Sequence, residues 1–402
     1  MLKVQEFQEL TGTQYIKAAV ACCFDKTVEK LQWNKRLAVY EDLIASDMWD
    51  TDEMYEKASN PVGLRAAREA LQKAVSNQPT GFTISLDASS SGLQFLSLFT
   101  RCPKSWKLCG GDEDILDAYV EIFMSMNSGL NLDRKEVKQC IMTALYGSEA
   151  MPKKIFKENV DQFYKTMEDM ASGAWQLNLD VQELWDHVEG STYDWYLPDG
   201  YYACIETQDK IKTEFSFMEE TYELTQTVQE RPRFHKGLCP NLIHGTDAFV
   251  VREMYRRCMF NSATIERVCT AITSGANDSN GKSADKVKEL WTLYEESGFL
   301  SVRILDFLYD DTIGLVDVLI VAQMIQTLPN TAFEILSVHD CFRAHPNNGN
   351  ELRRQYNRIM CDIKNSNMLP FIASQVVGKK IDYPITTDIP DDVILNANYL
   401  LA

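Results

Sequence analysis

FTISLDASSSGLQFLS, residues 82–97, is the stretch around which the chain is organised, with Asp87 at its centre. Apolar and β-branched residues from Phe82 to Leu86 predict a short strand, and turn-forming residues 78–81 precede it. The strand would deliver the Asp87 carboxylate at its end, where serines and a glycine let the backbone bend and approach a ligand. Alone, this pattern is more typical of an ordinary strand-end turn, because Asp and Ser cap turns with local hydrogen bonds.

A second segment, RKEVKQCIMTALYGS at residues 134–148, has the spacing of a helix. Because a helix turns by about 100° per residue, side chains four positions apart share one face. Four side chains follow this spacing: Arg134, Lys138, Met142 and Tyr146. Gly147 comes next, where helices commonly end. The segment therefore predicts a helix with two cations and a tyrosine on one face.

A third segment, FEILSVHDCFRAHP at residues 333–346, places two apolar runs around His339 and Asp340. This arrangement predicts a hairpin with an acidic tip. Two carboxylates, Asp87 and Asp340, together with a cationic helix face are what two-metal phosphoryl transfer requires. The carboxylates hold two cations about 3.5–4 Å apart, and the cationic face binds a triphosphate.

These segments resemble motifs A, B and C of the single-subunit (T-seven-like) RNA polymerases of bacteriophages and mitochondria. DASSSGLQ at 87–94 resembles D-G-S-x-S-G-x-Q, the R-x3-K-x7-YGS spacing at 134–148 fits, and VHDCF at 338–342 resembles I-H-D-S-F. In addition, PNLIHGTD at 240–247 is similar to P-N-F-V-H-S-x-D, and LPDGY at 197–201 to T-P-D-G-F. All of them stand in the family's order along the chain.

The resemblance implies an α+β, mostly helical chain that forms the palm and fingers of a right-hand polymerase, with a small antiparallel palm sheet. The family's thumb and N-terminal domain have no counterpart in the sequence. The implied parts are a helical base of palm and fingers over 1–75, a first palm part over 76–104, fingers over 105–250, an inserted helical subdomain over 251–330, and a second palm part with the C-terminal tail over 331–402. Within these parts, residues 151–196 are expected to be helical and residues 274–285 to form a polar linker.

The resemblance also implies a role for each site residue. Asp87 and Asp340, with the backbone carbonyl of Ala88, are expected to hold two Mg²⁺ ions. Lys138 is expected to bind the triphosphate and to give a proton to the leaving pyrophosphate. Arg134, one helical turn earlier, is expected to clamp the phosphates as a planar fork.

Gly92 and Tyr146 are expected to set the choice of sugar. Related DNA polymerases place a bulky Glu where Gly92 stands, so here the ribose 2′-hydroxyl has room. The Tyr146 hydroxyl can then hydrogen-bond it, and a site of this kind discriminates against the deoxy analogue. His244 is expected to support this contact, and Gly147 is assigned to the same substrate-binding region. His339 is expected to support the hairpin rather than to act in catalysis.

The net charge of −18 opposes duplex binding, since neutralising phosphates supplies much of the affinity of nucleic-acid binders. An acidic enzyme can still have a local basic channel, but its weak overall field suggests that it relies on a partner to reach its template. The family carries a promoter-reading hairpin in the region of residues 200–240. Here that loop, residues 218–238, is expected to be short and to offer little for reading or melting a promoter.

The expected partners are a second polymerase subunit that carries the thumb and N-terminal palm, a single-stranded or melted DNA template, the RNA product, ribonucleoside triphosphates and a recruiting protein that binds single-stranded DNA. No membrane partner is expected, because no apolar run reaches the length of a membrane span. The eleven cysteines include no C-x2-C pair, which favours reduced thiols. The expected location is therefore cytoplasmic, in a bacterial host during phage infection.

The favoured function is the catalytic subunit of a two-chain, DNA-directed RNA polymerase of a bacteriophage. One alternative is a DNA polymerase fragment of the related family, which Gly92 and the serine-rich motif at Asp87 disfavour. Another alternative is a non-catalytic scaffold subunit. The joint presence of Asp87, Lys138, Tyr146 and Asp340 disfavours that alternative.

Overall fold

A computed structural model describes residues 2–111, 114–126, 129–218, 220–275 and 280–402. The described chain is mostly helical and contains small antiparallel sheets, which confirms the α+β class. Part of the predicted polar linker, residues 276–279, lies outside the described residues. No helix in the described ranges is long and apolar enough to cross a membrane.

The α-helices are numbered in chain order. They are α1 Gly12–Phe24, α2 Trp33–Ile44, α3 Asp52–Lys57, α4 Pro61–Val75, α5 Ser91–Thr100, α6 Pro103–Cys109, α7 Ala118–Met126, α8 Arg134–Leu145, α9 Ala150–Phe156, α10 Val160–Met170, α11 Ser172–Glu183, α12 Leu238–Cys258, α13 Ser262–Ser274, α14 Ala284–Ser297, α15 Val318–Gln326, α16 Gly349–Asn365, α17 Met368–Val377 and α18 Asp391–Leu395. Short 3₁₀ turns lie at Lys26–Lys30, Lys157–Asn159, Leu184–His187, Val302–Phe307, Ile313–Leu315 and Pro346–Asn348.

The strands form one three-stranded sheet and two separate two-stranded ribbons. They are β1 Ile84–Asp87, β2 Thr192–Tyr196, β3 Tyr202–Glu206, β4 Asp209–Phe217, β5 Glu220–Val228, β6 Ile335–Val338 and β7 Cys341–Ala344. The three-stranded sheet has the antiparallel order β1-β7-β6, and the ribbons are β2-β3 and β4-β5.

Helices α1 to α4 surround a small apolar core of their own. Val20, Met54, Leu64 and Ala67 are fully buried there. Local capping explains where these helices begin. The Thr11 side chain caps α1 in a reciprocal capping box, and Asn60 caps α4. A larger core gathers the buried faces of the remaining elements.

The three-stranded sheet connects two distant parts of the sequence. Strand β1 pairs with β7 so that Asp87 lies opposite Cys341, and β7 pairs with β6. The other edge of β1 is covered by the chain's last residues, since the N–H of Ala402 donates to the carbonyl of Asp87 at 3.0 Å. Helix α5 follows β1 directly and is buried along its whole length after Ser91. The sheet and α5 thus fix Asp87 from both sides.

The prediction that residues 151–196 are helical is wrong at its end. The helical part finishes with the 3₁₀ turn at Leu184–His187, and β2 covers Thr192–Tyr196. Tyr193 and Trp195 are buried while their neighbours are exposed, which is the period of two that marks a half-buried strand.

The expectation of a short loop within residues 200–240 is also wrong. Strands β4 and β5 have nine residues each and pair over their full length. Aromatic and β-branched residues stand at every second position of β4 from Ile211 to Phe217 and recur in β5, and such residues favour strands. The number of residues in this region does not predict the ribbon, whereas the residue pattern of β4 does.

The predicted boundary between the 105–250 and 251–330 parts falls inside a helix. Helix α12 runs without a break across it, and its Phe249, Val250 and Met254 belong to the large core. The described remainder of 251–330 is mainly helical, with α13, α14 and α15. The first turns of this region are therefore continuous with the preceding part.

Candidate active site

A cavity of about 330 Å³ opens where β1, the β6-β7 turn, α8 and α12 meet. Most of the residues singled out from the sequence line it: Asp87, Ala88, Gly92, Arg134, Lys138, Tyr146, His244, His339 and Asp340. These residues come from four separate segments. The fold therefore brings these residues, which are far apart in the sequence, into one cavity.

Asp87 and Asp340 both line this cavity from the same end of the three-stranded sheet. Asp87 ends β1, and Asp340 follows His339 in the two-residue turn between β6 and β7. His339 has a left-handed backbone with φ of 55°, which lets the turn stay tight. The N–H of Ala88 donates to the Asp340 carbonyl at 3.3 Å and holds the turn against the end of β1.

The two carboxylates influence each other electrostatically. Burial raises the pKa of Asp87, and the nearby Asp340 carboxylate raises it further. Lys30 and Lys138 act in the opposite direction and lower this pKa. Two carboxylates that raise each other's cost of ionisation are a site that a positive ion would stabilise.

The oxygen donors of this site fit Mg²⁺, provided that a substrate supplies the remaining ligands. Mg²⁺ prefers oxygen ligands and is usually held by one or two carboxylates together with substrate phosphates and water. Asp87 and Asp340 supply the carboxylates. The Ala88 carbonyl accepts the Ser90 N–H at 3.0 Å and keeps a second lone pair for an ion. Within the described residues, no group of three or more His, Cys, Asp or Glu side chains forms a complete metal cage.

The turn after Asp87 is held by a buried amide. The Gln94 side chain is fully buried, and its Nε2 lies 3.1 Å from the Ser89 carbonyl and 3.2 Å from the Leu400 carbonyl. Tyr356 donates to Gln94 Oε1 at 2.9 Å. Ser90 takes a left-handed backbone, with φ of 64°, at the start of α5. The Gln94 contacts tie this strained turn to the end of the chain.

Helix α8 presents the cations. Asp133 caps it in a capping box with Glu136, so the helix begins at Arg134. Arg134 and Lys138 are successive on the cavity face, as the spacing predicts. The Lys138 Nζ lies 5.9 Å from the centre of the buried Tyr119 ring, within cation–π range.

Lys30 is a third cation that sequence reasoning missed. It ends the 3₁₀ turn at Lys26–Lys30 and lines the same cavity. Burial and then Arg134 lower its pKa, while Asp117 and Asp87 raise it. No motif surrounds Lys30, and it reaches the site from a distant part of the chain. No local pattern could have found it.

Asp247 is a third carboxylate that was not assigned a role. It lies three residues after His244 on α12, so both side chains face the cavity. Burial, followed by the charge of Asp340, raises the pKa of Asp247 to about 7. The i, i+3 spacing within PNLIHGTD is a signal that could have identified it.

Gly92 and Tyr146 are in close contact. A Cβ atom built on Gly92 would lie 2.5 Å from the Tyr146 hydroxyl, so only glycine fits without displacing the ring. Burial raises the pKa of Tyr146, which keeps its hydroxyl protonated and able to donate. The His244 ring lies 6.0 Å from the Tyr146 ring, centre to centre. These three residues form one wall of the cavity.

Gly147 is placed differently from the other predicted residues. It is not among the described residues that line the cavity. Its backbone is left-handed, with φ of 83°, and a Cβ there would meet the Gln182 side chain at 2.9 Å. Gly147 therefore ends α8 and packs beside α11, which is a structural role.

No protein-family model matches the sequence, and no curated protein matches it. The geometry of the cavity therefore carries the functional argument. The cavity is lined by two interacting carboxylates, three cations and the glycine–tyrosine contact.

Proposed function

We propose that this chain is the catalytic subunit of a two-chain, DNA-directed RNA polymerase that adds ribonucleotides to an RNA 3′ end during bacteriophage transcription. One observation carries the proposal. A single cavity is lined by two carboxylates that interact electrostatically, Asp87 and Asp340, and by the cations Lys30, Arg134 and Lys138. This is the charge arrangement that nucleotidyl transfer from a triphosphate needs.

The cations account for triphosphate binding. Arg134 offers a planar fork and Lys30 a point charge, and both match phosphate oxygens. Lys138 lines the same cavity and acts electrostatically on Asp87, so it can give a proton to the departing pyrophosphate. Two Mg²⁺ ions, held by Asp87 and Asp340 with the Ala88 carbonyl, would supply charge neutralisation and an activated 3′-hydroxyl.

The wall formed by Gly92 and Tyr146 supports the choice of ribonucleotides. Because Gly92 has no side chain, the Tyr146 hydroxyl stays beside it, where a ribose 2′-hydroxyl can be hydrogen-bonded. A glutamate at position 92 would displace the ring and occupy that space. This contact disfavours a DNA polymerase. The joint presence of the carboxylates and cations disfavours a non-catalytic scaffold.

The proposal includes a second polypeptide and a single-stranded or melted template. The three-stranded sheet leaves Leu336 62% exposed and Val338 59% exposed on strand β6. Strand β6 is an edge of this sheet, and an unpaired edge strand can be completed by another chain. The net charge of −18 favours a template that needs few backbone contacts over a duplex.

Primer extension tests the proposal. The native complex would be purified through this chain, and its second polypeptide identified. An RNA primer on a single-stranded DNA template is then supplied with Mg²⁺ and either ribo- or deoxynucleoside triphosphates. The proposal predicts extension with ribonucleotides. Extension with deoxynucleotides alone would favour the DNA polymerase, and no extension with either would favour the scaffold.

A further inference from the structure

Asp117 lies just before α7 and lines the cavity, although no role follows for it from the sequence motifs. Its Oδ1 accepts the N–H groups of Tyr119 and Val120 at 3.2 and 3.3 Å. The side chain is only 13% exposed. Asp117 is therefore anchored to the first turn of α7, with its second oxygen facing the cavity.

That second oxygen binds Arg134. The Arg134 Nε donates to Asp117 Oδ2 in an ion pair between the starts of α7 and α8. The Arg134 side chain is 45% exposed, so little else restrains it. In the described part of the chain, no other hydrogen bond of Arg134 is present, and both of its outer amino groups stay available. A guanidinium held through Nε keeps two parallel donors for a phosphate.

Asp117 also reduces the electrostatic repulsion among the cationic side chains of the cavity. Lys30, Arg134 and Lys138 share one cavity and repel one another. Lys30 is affected by both members of the ion pair, since Arg134 lowers the pKa of Lys30 and Asp117 raises it. The carboxylate thus offsets part of the repulsion that would drive Arg134 outward.

We infer that Asp117 is a positioning residue that fixes the Arg134 guanidinium with its two outer amino groups turned toward the phosphates of an incoming nucleoside triphosphate. This inference rests on the proposed function. Asp117 does not touch the substrate, and its effect is transmitted through Arg134. The charge on Asp117 matters for this role, whereas its cap on α7 requires only a hydrogen-bond acceptor.

The variant Asp117→Asn separates these two roles, because Asn retains the capping oxygen and loses the charge. In the assembled enzyme we expect the KM for nucleoside triphosphate to rise about tenfold, as for the loss of one charge-assisted hydrogen bond. The value of kcat is expected to fall much less. Asp133→Asn is the matched control. It makes the same change at the exposed cap of α8, outside the cavity lining, and is expected to leave KM unchanged.

Inorganic tripolyphosphate gives a second readout, because it presents phosphates without a base or sugar. Its inhibition constant is expected to rise in parallel with KM in Asp117→Asn. In an Arg134→Ala background, Asp117→Asn is expected to add nothing further, since the effect passes through Arg134. If Asp117→Asn does not assemble with its partner, Asp117→Ser also keeps an acceptor at the helix start and serves the same test.

An unchanged or lower KM in Asp117→Asn, or an effect that adds fully to that of Arg134→Ala, would overturn the inference. Failure of the proposed function looks different. In that case the wild-type complex itself incorporates no ribonucleotide and is not inhibited by tripolyphosphate.

Discussion

In the proposed polymerase, the choice of sugar would depend on a single atom between Gly92 and Tyr146. The missing Cβ at position 92 leaves the Tyr146 hydroxyl in place, 2.5 Å from where that Cβ would stand. The Tyr146 ring packs against the large core, and the residue also lines the cavity, where its hydroxyl is the one side-chain donor it has. The ring and the hydroxyl can therefore be tested separately.

Tyr146→Phe keeps the packed ring and removes only the hydroxyl. We expect the variant to remain active and to accept deoxynucleotides more readily, because the contact with the 2′-hydroxyl is lost. The preference is expected to fall by about tenfold or more. The measurement is the ratio of ribo- to deoxynucleotide incorporation on one template, with wild type as the reference. An unchanged ratio would remove Tyr146 from the choice of sugar.

At the same scale, the sequence predicted those site residues that lie in recognisable motifs. Asp87, Lys138, Tyr146 and Asp340 each lie in a short pattern with a chemical reason for its spacing, and the fold brings them together. Lys30 and Asp117 were missed because their relation to the site exists only in three dimensions. Lys30 arrives from a distant 3₁₀ turn, and Asp117 acts by binding Arg134.

At the scale of elements, helix α8 was predicted from its four-residue spacing, and the β6-β7 hairpin from two apolar runs around His339 and Asp340. The β4-β5 ribbon was missed. One of its faces carries apolar side chains that are 43–59% exposed, namely Ile211, Phe215, Phe217, Tyr222 and Leu224. Its described residues include four acidic side chains and two lysines. This negative charge opposes contact with phosphates, so the ribbon's length alone does not make it a promoter reader.

The ribbon depends on cross-strand pairs, because a two-stranded hairpin is only marginally stable. Phe215 stacks on Tyr222 with ring centres 5.7 Å apart. We expect Phe215→Ala to weaken pairing by about 0.2–1 kcal/mol and to speed amide exchange in β4 and β5. Exchange in the three-stranded sheet should not change. Ser216→Ala on the polar face is the control, and equal effects of the two changes would contradict the assigned pairing.

At the scale of the whole molecule, the chain is acidic, but the cationic side chains of Lys30, Arg134 and Lys138 cluster in one cavity. The sequence predicted the overall charge directly, whereas the position of the cluster follows only from the fold. The proposal adds a second polypeptide, for which the exposed edge strand β6 and the net charge of −18 leave a role. Misplacement of the reacting groups by about 1 Å can lower the reaction rate about a hundredfold. A primer that the chain alone does not hold in place would therefore be enough to make the chain inactive.

We therefore expect the isolated chain to be inactive and the complex to prefer single-stranded templates. Runoff synthesis by each preparation on matched single-stranded and duplex DNA measures both properties. The duplex reaction should also be the more sensitive to added salt. Robust synthesis by the isolated chain on linear duplex DNA would contradict both expectations.

The most direct test of the central claim is Mg²⁺-dependent RNA synthesis by the complex carrying Asp87→Asn or Asp340→Asn. Each change removes a charge that would hold the ions while relieving the repulsion between two facing carboxylates. We predict that synthesis drops by at least about a hundredfold in each variant. The melting temperature without Mg²⁺ should stay equal or rise, and Asp133→Asn should match wild type in both measurements. RNA synthesis at the wild-type rate by either variant would contradict the assignment of this cavity as the catalytic centre.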